Sequence, residues 1–353
     1  MALLGGDKNM LNATNSQGCF VVGTQGDVTI FNQTPTDLFG IALTEPELRF
    51  DDIENAIVDG EPDISRLLRW SYRLVKTPFG RKQEIDDIVR WAESPDKKVR
   101  LYFVEGEGGA GKTRLAAEVA LALKDKGWAA GFLARSGTAV HPAGKQGLFL
   151  ILDYPEEQPK RIEALINAIR DREEPGPRLR ILLLSRRRYD DWKDTFAPIR
   201  HLIGKHSIAR LEPLPPADAR ALVFEAAASL SNLRGESDPE MPTQLDTWLE
   251  EDSDNRLSLY ATAAAVHHVL HPRNTFGLKA SDIIADLVQR ELGRVNNASK
   301  AAELGEHALA RLLALATVSG RMTASAVGRL AKPEMQIFEC TENRVMDNLA
   351  KTS

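Results

Sequence analysis

The chain has 353 residues, 43% of them apolar and 27% charged, and a formal net charge of −5. That is enough chain for two or three domains with a sizeable core, and the acidic balance argues against nucleic acid as a general partner. Only two cysteines, Cys19 and Cys340, occur and they lie far apart, which excludes a disulfide scaffold; with no run of about 18 apolar residues and no basic-then-apolar leader, a cytoplasmic chain without a membrane span is expected.

Residues 1–43 are rich in Gly, Asn, Thr and Gln and carry almost no charge. Within them, Cys19-Phe20-Val21-Val22 and Val28-Thr29-Ile30-Phe31 flank a glycine-containing turn, which predicts a short N-terminal β-hairpin. One hairpin is marginal in water, so this segment is either a flexible tail or a strand-pairing element for self-association. Residues 44–76 are charged and predict a helical linker in two pieces, near 46–58 and 63–76. The second carries a stripe of Ile64, Leu67, Leu68, Ser71 and Val75.

The α/β unit is expected over 77–215. A helix with Ile85, Ile88, Val89 and Trp91 on one side precedes a short apolar strand, 99–104. That strand runs into Gly106-Glu107-Gly108-Gly109-Ala110-Gly111-Lys112-Thr113, which reads Gly-x-x-x-x-Gly-Lys-Thr and opens a helix over 113–126. Strand, glycine-rich loop and helix in this order form a phosphate cradle. The glycines let successive N–H groups point inward, and the helix start adds partial positive charge. Lys112 can reach the β- and γ-phosphates, and the Thr113 hydroxyl can ligate Mg²⁺. The nucleotide-binding set is therefore Gly106, Gly108, Gly109, Ala110, Gly111, Lys112 and Thr113.

Further strands are predicted at 128–134, 147–154 and 178–186. The third strand is a continuous apolar run ending in Asp153, as in a central parallel strand. An Asp at the carboxyl end of such a strand either caps the next helix or supports Mg²⁺ beside Thr113, and the phosphate loop favours the metal. Glu156 and Glu157 follow. One of them, preferably Glu156, can orient or deprotonate the attacking water; a pair of glutamates is also an ordinary acidic first turn for a helix near Gln158. Ser185-Arg186 closes the fourth strand at the same edge, where a guanidinium can contact the γ-phosphate. Arg187 and Arg188 read as a solvated rim.

From Pro216 onward the pattern is helical. An all-helical domain is expected over 216–300, and a winged-helix-like start, truncated, over 301–353. His267, His268 and His271 have metal-like spacing on one helix but no evident carboxylate or cysteine partner nearby.

The phosphate loop, Leu150-Ile151-Leu152-Asp153, Leu183-Leu184-Ser185-Arg186 and Leu211-Glu212-Pro213-Leu214 occur in an order that resembles the STAND-class signalling ATPases, relatives of the NACHT and NB-ARC switch proteins. The resemblance covers about residues 75–320, including Gly80-Arg81-x-x-Glu84. It implies a P-loop domain, a helical domain and a winged helix. It further implies that Arg81 lies near the nucleotide, that Arg186 is the sensor arginine, that ADP holds the closed state, and that ATP permits homo-oligomerisation. Where many relatives carry Gly-x-Pro-Leu, this chain has Asn255-Arg256-Leu257-Ser258-Leu259, without proline. With no repeat array after residue 320, a separate effector or sensor protein is an expected partner. The competing expectations are a non-catalytic nucleotide-binding scaffold assembled through the hairpin, and a DNA-associated ATPase using the basic stretch 178–188.

Overall fold

The computed structural model describes residues 13–14, 20–24, 27–31, 47–95, 98–133, 146–157, 162–163, 166, 178–272 and 275–301. In chain order its strands are β1 (Ala13–Thr14), β2 (Phe20–Thr24), β3 (Asp27–Phe31), β4 (Ile57–Val58), β5 (Glu61–Pro62), β6 (Val99–Gly106), β7 (Ala129–Phe132), β8 (Leu148–Asp153), β9 (Leu179–Ser185) and β10 (Ile203–Leu211). Its helices are α1 (Ile64–Leu67), α2 (Lys82–Glu93), α3 (Lys112–Asp125), α4 (Pro216–Leu233), α5 (Gln244–Glu251), α6 (Ser258–Leu270) and α7 (Ala280–Ala301). The expected winged-helix region lies outside the described residues beyond its first position.

Two compact units result. The first comprises Met1–Asp51, Val75–Ala221 and Arg256–Leu259; the second comprises Asp52–Leu74, Leu222–Asn255 and Tyr260–Ser353. The first holds a five-stranded, wholly parallel sheet in the order β10-β6-β9-β8-β7. This is the α/β P-loop fold. Strands covered on both faces read as unbroken apolar runs, and β9 is buried at all seven positions. Leu101, Phe103, Leu150, Ile181 and Leu183 form the core, which Trp192, Phe196 and Ile199 from the chain after β9 complete. The N-terminal β2–β3 hairpin is present, with β1 added as a third antiparallel strand.

Three departures from the sequence reading have local causes. The edge strand β10 escaped it because Gly204, Lys205, His206 and Ser207 interrupt any apolar run, and its pairing with β6 is irregular between Ile203 and Ile208. The helix expected over 63–76 is one turn, α1, followed by a 3₁₀ turn at Trp70–Tyr72. Asp63 caps it as a helix start should, through Arg66 N–H at 3.0 Å. Yet Arg69 is extended and Arg73 is left-handed at φ 52°, so Ile64, Leu67 and Leu74 are buried without a continuous helix. The helix expected near 46–58 is likewise a 3₁₀ turn, Ile53–Ala56, leading into β4.

Among its described residues, the second unit is helical but for the β4–β5 pair. In it Arg294 pairs with Asp63 at 3.1 Å, and Trp248 donates its indole N–H to Leu278 O at 2.8 Å. No helix among the described residues is long and apolar enough to cross a membrane.

Candidate functional site

The parallel sheet sends the carboxyl ends of β6, β8 and β9 to one edge. In register, Glu105 of β6 lies opposite Ser185 of β9, and Asp153 of β8 lies opposite Leu184. The two stretches that the sequence singled out, 106–113 and 153–156, thus meet at Ser185-Arg186 although 40 to 80 residues separate them in the chain.

The loop between β6 and α3 requires glycine at two places. Gly109 and Gly111 have φ of 85° and 91°, where L side chains are strained. Space is equally restrictive: a Cβ at Gly109 would stand 3.0 Å from Leu259 Cβ, and one at Gly111 would stand 3.1 Å from Ser258 Oγ. Gly111 caps α3 with no side-chain hydrogen bond, so the helix start has no internal anion.

Lys112 is buried and donates to Gly106 O and Glu107 O, both at 2.8 Å. Burial pushes its ammonium below the ordinary lysine value, opposed by the Asp153 carboxylate. The Thr113 hydroxyl donates to Asp153 Oδ2 at 2.8 Å. Burial raises the Asp153 carboxyl, and the Thr113 hydroxyl, then Lys112, pull it back. The pair brings two hard oxygens from different elements together and would suit a hard cation such as Mg²⁺.

Glu156 stands on a 3₁₀ turn, Pro155–Glu157, just past β8. Its carboxylate accepts from Ser185 Oγ at 3.2 Å and from Arg186 N–H at 3.3 Å. Ser185 is fully buried, and its oxygen also accepts from Arg187 N–H at 2.9 Å and from the Trp192 indole at 3.3 Å. With those donors on the oxygen, the hydroxyl proton points to Glu156. Arg186 is exposed, and its guanidinium lies over the Tyr154 ring, 5.0 Å from the centroid. A Cβ at Gly108 would stand 3.9 Å from Arg186 Nε, so this cation is at the loop mouth.

Arg81, expected near the nucleotide, touches the backbone of the loop itself. It is buried behind the loop, where Nη2 donates to Ala110 O at 3.3 Å and to Glu212 O at 2.7 Å, and Nη1 pairs with Glu84 at 3.3 Å. Those bonds tie the loop to the turn after β10, and the buried Nε has no hydrogen-bond partner. Arg256, Ser258 and Leu259, the stretch without the proline of a Gly-x-Pro-Leu motif, reach the same region. Leu259 N–H donates to Gly109 O at 3.0 Å, Leu214 N–H donates to Arg256 O at 3.0 Å, and Ser258 Oγ is 3.5 Å from Ala110 O.

Tyr154, Ser185 and the Arg256–Leu259 segment were not assigned roles by sequence. The signal for Tyr154 is faint, a bulky residue directly after a strand-ending acid; Ser185 had none beyond its position. The basic stretch is no single patch. Arg178 and Arg180 stand at the opposite end of β9 from Arg186, Arg187 and Arg188. Arg180 is fully buried and donates to Ala92 O at 2.8 Å and Ser94 O at 2.7 Å, which caps α2. The histidines also divide. His267 Nδ1 meets Thr275 Oγ1 at 2.8 Å and His268 Nε2 meets Glu240 O at 3.0 Å. Among the described residues, no group of three or more His, Cys, Asp or Glu side chains could hold a metal.

No protein-family model matches the sequence, and no curated protein matches it. Solved structures do. The chain is similar to Cdc6p from Pyrobaculum aerophilum at 13% identity, over 59% of this chain and 65% of that one, just under two thirds of its length, with a TM-score of 0.42. It is similar to the ORC2 protein of Aeropyrum pernix, in ADPNP-ADP complexes, at 15% identity over 77% of this chain and 84% of that one, TM-score 0.41. It is also similar to NtrX from Brucella abortus in complex with ADP, at 12% identity over 79% of this chain and 70% of that one, TM-score 0.42.

Proposed function

We propose that the chain is an ATP-binding switch of the STAND kind, with slow Mg²⁺-dependent hydrolysis that controls self-assembly in signalling or defence. The observation that carries the nucleotide reading is the Thr113–Asp153 hydrogen bond of 2.8 Å beside Lys112. It joins the loop lysine, the metal hydroxyl and the strand-end carboxylate within one cradle. The switch and assembly roles rest on the sequence resemblance.

Each residue then has a role. Loop N–H groups and Lys112 bind the β- and γ-phosphates; in doing so Lys112 exchanges the carbonyls of Gly106 and Glu107 for phosphate oxygens. Thr113 and Asp153 hold Mg²⁺, which supplies charge neutralisation on the phosphates. Glu156 orients the attacking water, and Arg186 contacts the γ-phosphate. Two donors hold the Glu156 carboxylate, which restrains it and suits slow turnover. Arg81 braces the loop.

Thermal denaturation with and without MgATP tests the binding site. At 100 times Kd, ligand stabilises the wild-type chain by about 2.7 kcal/mol, and Lys112→Ala abolishes that gain. Equal stabilisation of the variant by MgATP would sink the assignment.

A further inference from the structure

Tyr154 is one of three described non-glycine residues with positive φ, at 53°. Such a backbone is costly for a bulky residue and persists where the surroundings enforce it. Here two acceptors enforce it. Tyr154 N–H lies 3.1 Å from Asp153 Oδ1 and 3.2 Å from Leu184 O. The left-handed turn directs the ring out of the β8 line and under Arg186, whose guanidinium carbon is 5.0 Å above it and whose Nη2 is 3.5 Å from the phenol oxygen. Arg186 is exposed at the strand end, and ordering a side chain of that length costs rotamer freedom.

We infer that Tyr154 is a positioning residue: its ring face docks the Arg186 guanidinium at the mouth of the phosphate loop, so that the cation stands ready for the terminal phosphate. This rests on the nucleotide reading above. Stacking costs the arginine rotamer freedom before ligand arrives, so less is lost on binding. The benefit goes to a triphosphate over a diphosphate, because Arg186 faces the outer end of the loop beside Gly108.

Affinities for MgATP and MgADP, measured by calorimetry on the full chain, test this. Tyr154→Gly removes the ring and suits the left-handed backbone, so the fold is retained; Tyr154→Phe keeps the ring face. Tyr154→Gly is expected to weaken MgATP by roughly three- to tenfold while MgADP stays within about twofold, and Tyr154→Phe to match wild type. On an Arg186→Ala background, Tyr154→Gly should have no further effect. The inference is overturned if both nucleotides weaken equally, if Tyr154→Phe behaves as Tyr154→Gly, or if the effect persists without Arg186. Arg186→Ala that changes neither affinity removes the role of Arg186 and this inference with it. A wild-type chain that binds neither nucleotide defeats the underlying reading instead, which separates the two failures.

Discussion

Asp153 is held half-buried beside Lys112 with its carboxyl raised by desolvation. A raised carboxyl binds its proton more tightly in the folded chain than in the unfolded one. Its ionised form therefore costs stability at neutral pH, and that cost disappears as pH falls below the unfolded value. Site and stability pull in opposite directions, as they commonly do where a metal is to be held. Asp153→Asn keeps an acceptor for Thr113 and removes the charge. Without ligand its Tm should rise if the burial cost of the charge outweighs what the carboxylate gives Lys112 and Tyr154 N–H, while Mg²⁺ no longer strengthens nucleotide binding; a lower Tm would show that the carboxylate is better compensated than its burial implies. Ser185 makes the contrary case. Ser185→Ala leaves the Trp192 indole N–H without its partner in the core, at a cost of about 1–3 kcal/mol, readable as a lower urea midpoint. The loop glycines, Lys112, Thr113 and Asp153 were legible because each stands in an unmistakable local context. Ser185 and Tyr154 were not, since what they touch lies on another element.

At the scale of elements, β6, β7, β8 and β9 announced themselves as apolar runs, and Pro216 marked the start of α4. What escaped was whatever depended on pairing or on a distant neighbour. β10 is held by its ladder to β6 despite a polar sequence, and the phosphate loop is closed by a segment almost 150 residues away. That contact makes a specific demand on the loop. Gly109→Ala should destabilise by about 1–2 kcal/mol from its left-handed backbone alone. A further cost arises because the new Cβ meets Leu259 Cβ at 3.0 Å. Leu259→Gly in the same chain should return that second part and leave the first. The double-mutant cycle in urea is thus expected to show coupling of at least about 0.5 kcal/mol. Strict additivity would mean that the loop and the start of α6 do not touch in solution.

The whole molecule is not divided where the chain would be cut by eye. The chain passes between the two units at 51/52, 74/75, 221/222, 255/256 and 259/260, so the unit that holds the glycine-rich loop ends with four residues that follow a long stretch of the other. A division at about 215 is natural in the sequence, because Leu211-Glu212-Pro213-Leu214 closes the last strand and helices follow. That cut discards Arg256 O, the acceptor for Leu214 N–H, and Leu259 N–H, the donor to Gly109 O. Each lost backbone bond removes roughly 0.5–1.5 kcal/mol, and more where the abandoned group stays buried. A fragment of residues 75–215 is therefore expected to unfold at lower urea than one of residues 75–301 and to bind MgATP more weakly. The hydrogen bond lost at Gly109 lies within the loop itself, so the affinity loss should exceed the twofold scatter of such measurements. Supplying a peptide of residues 252–262 at millimolar concentration offers the missing groups again and should recover part of the affinity. A short fragment that already binds as tightly as the long one would show that the loop is organised by β6 and α3 alone, with Arg256–Leu259 resting on it without consequence.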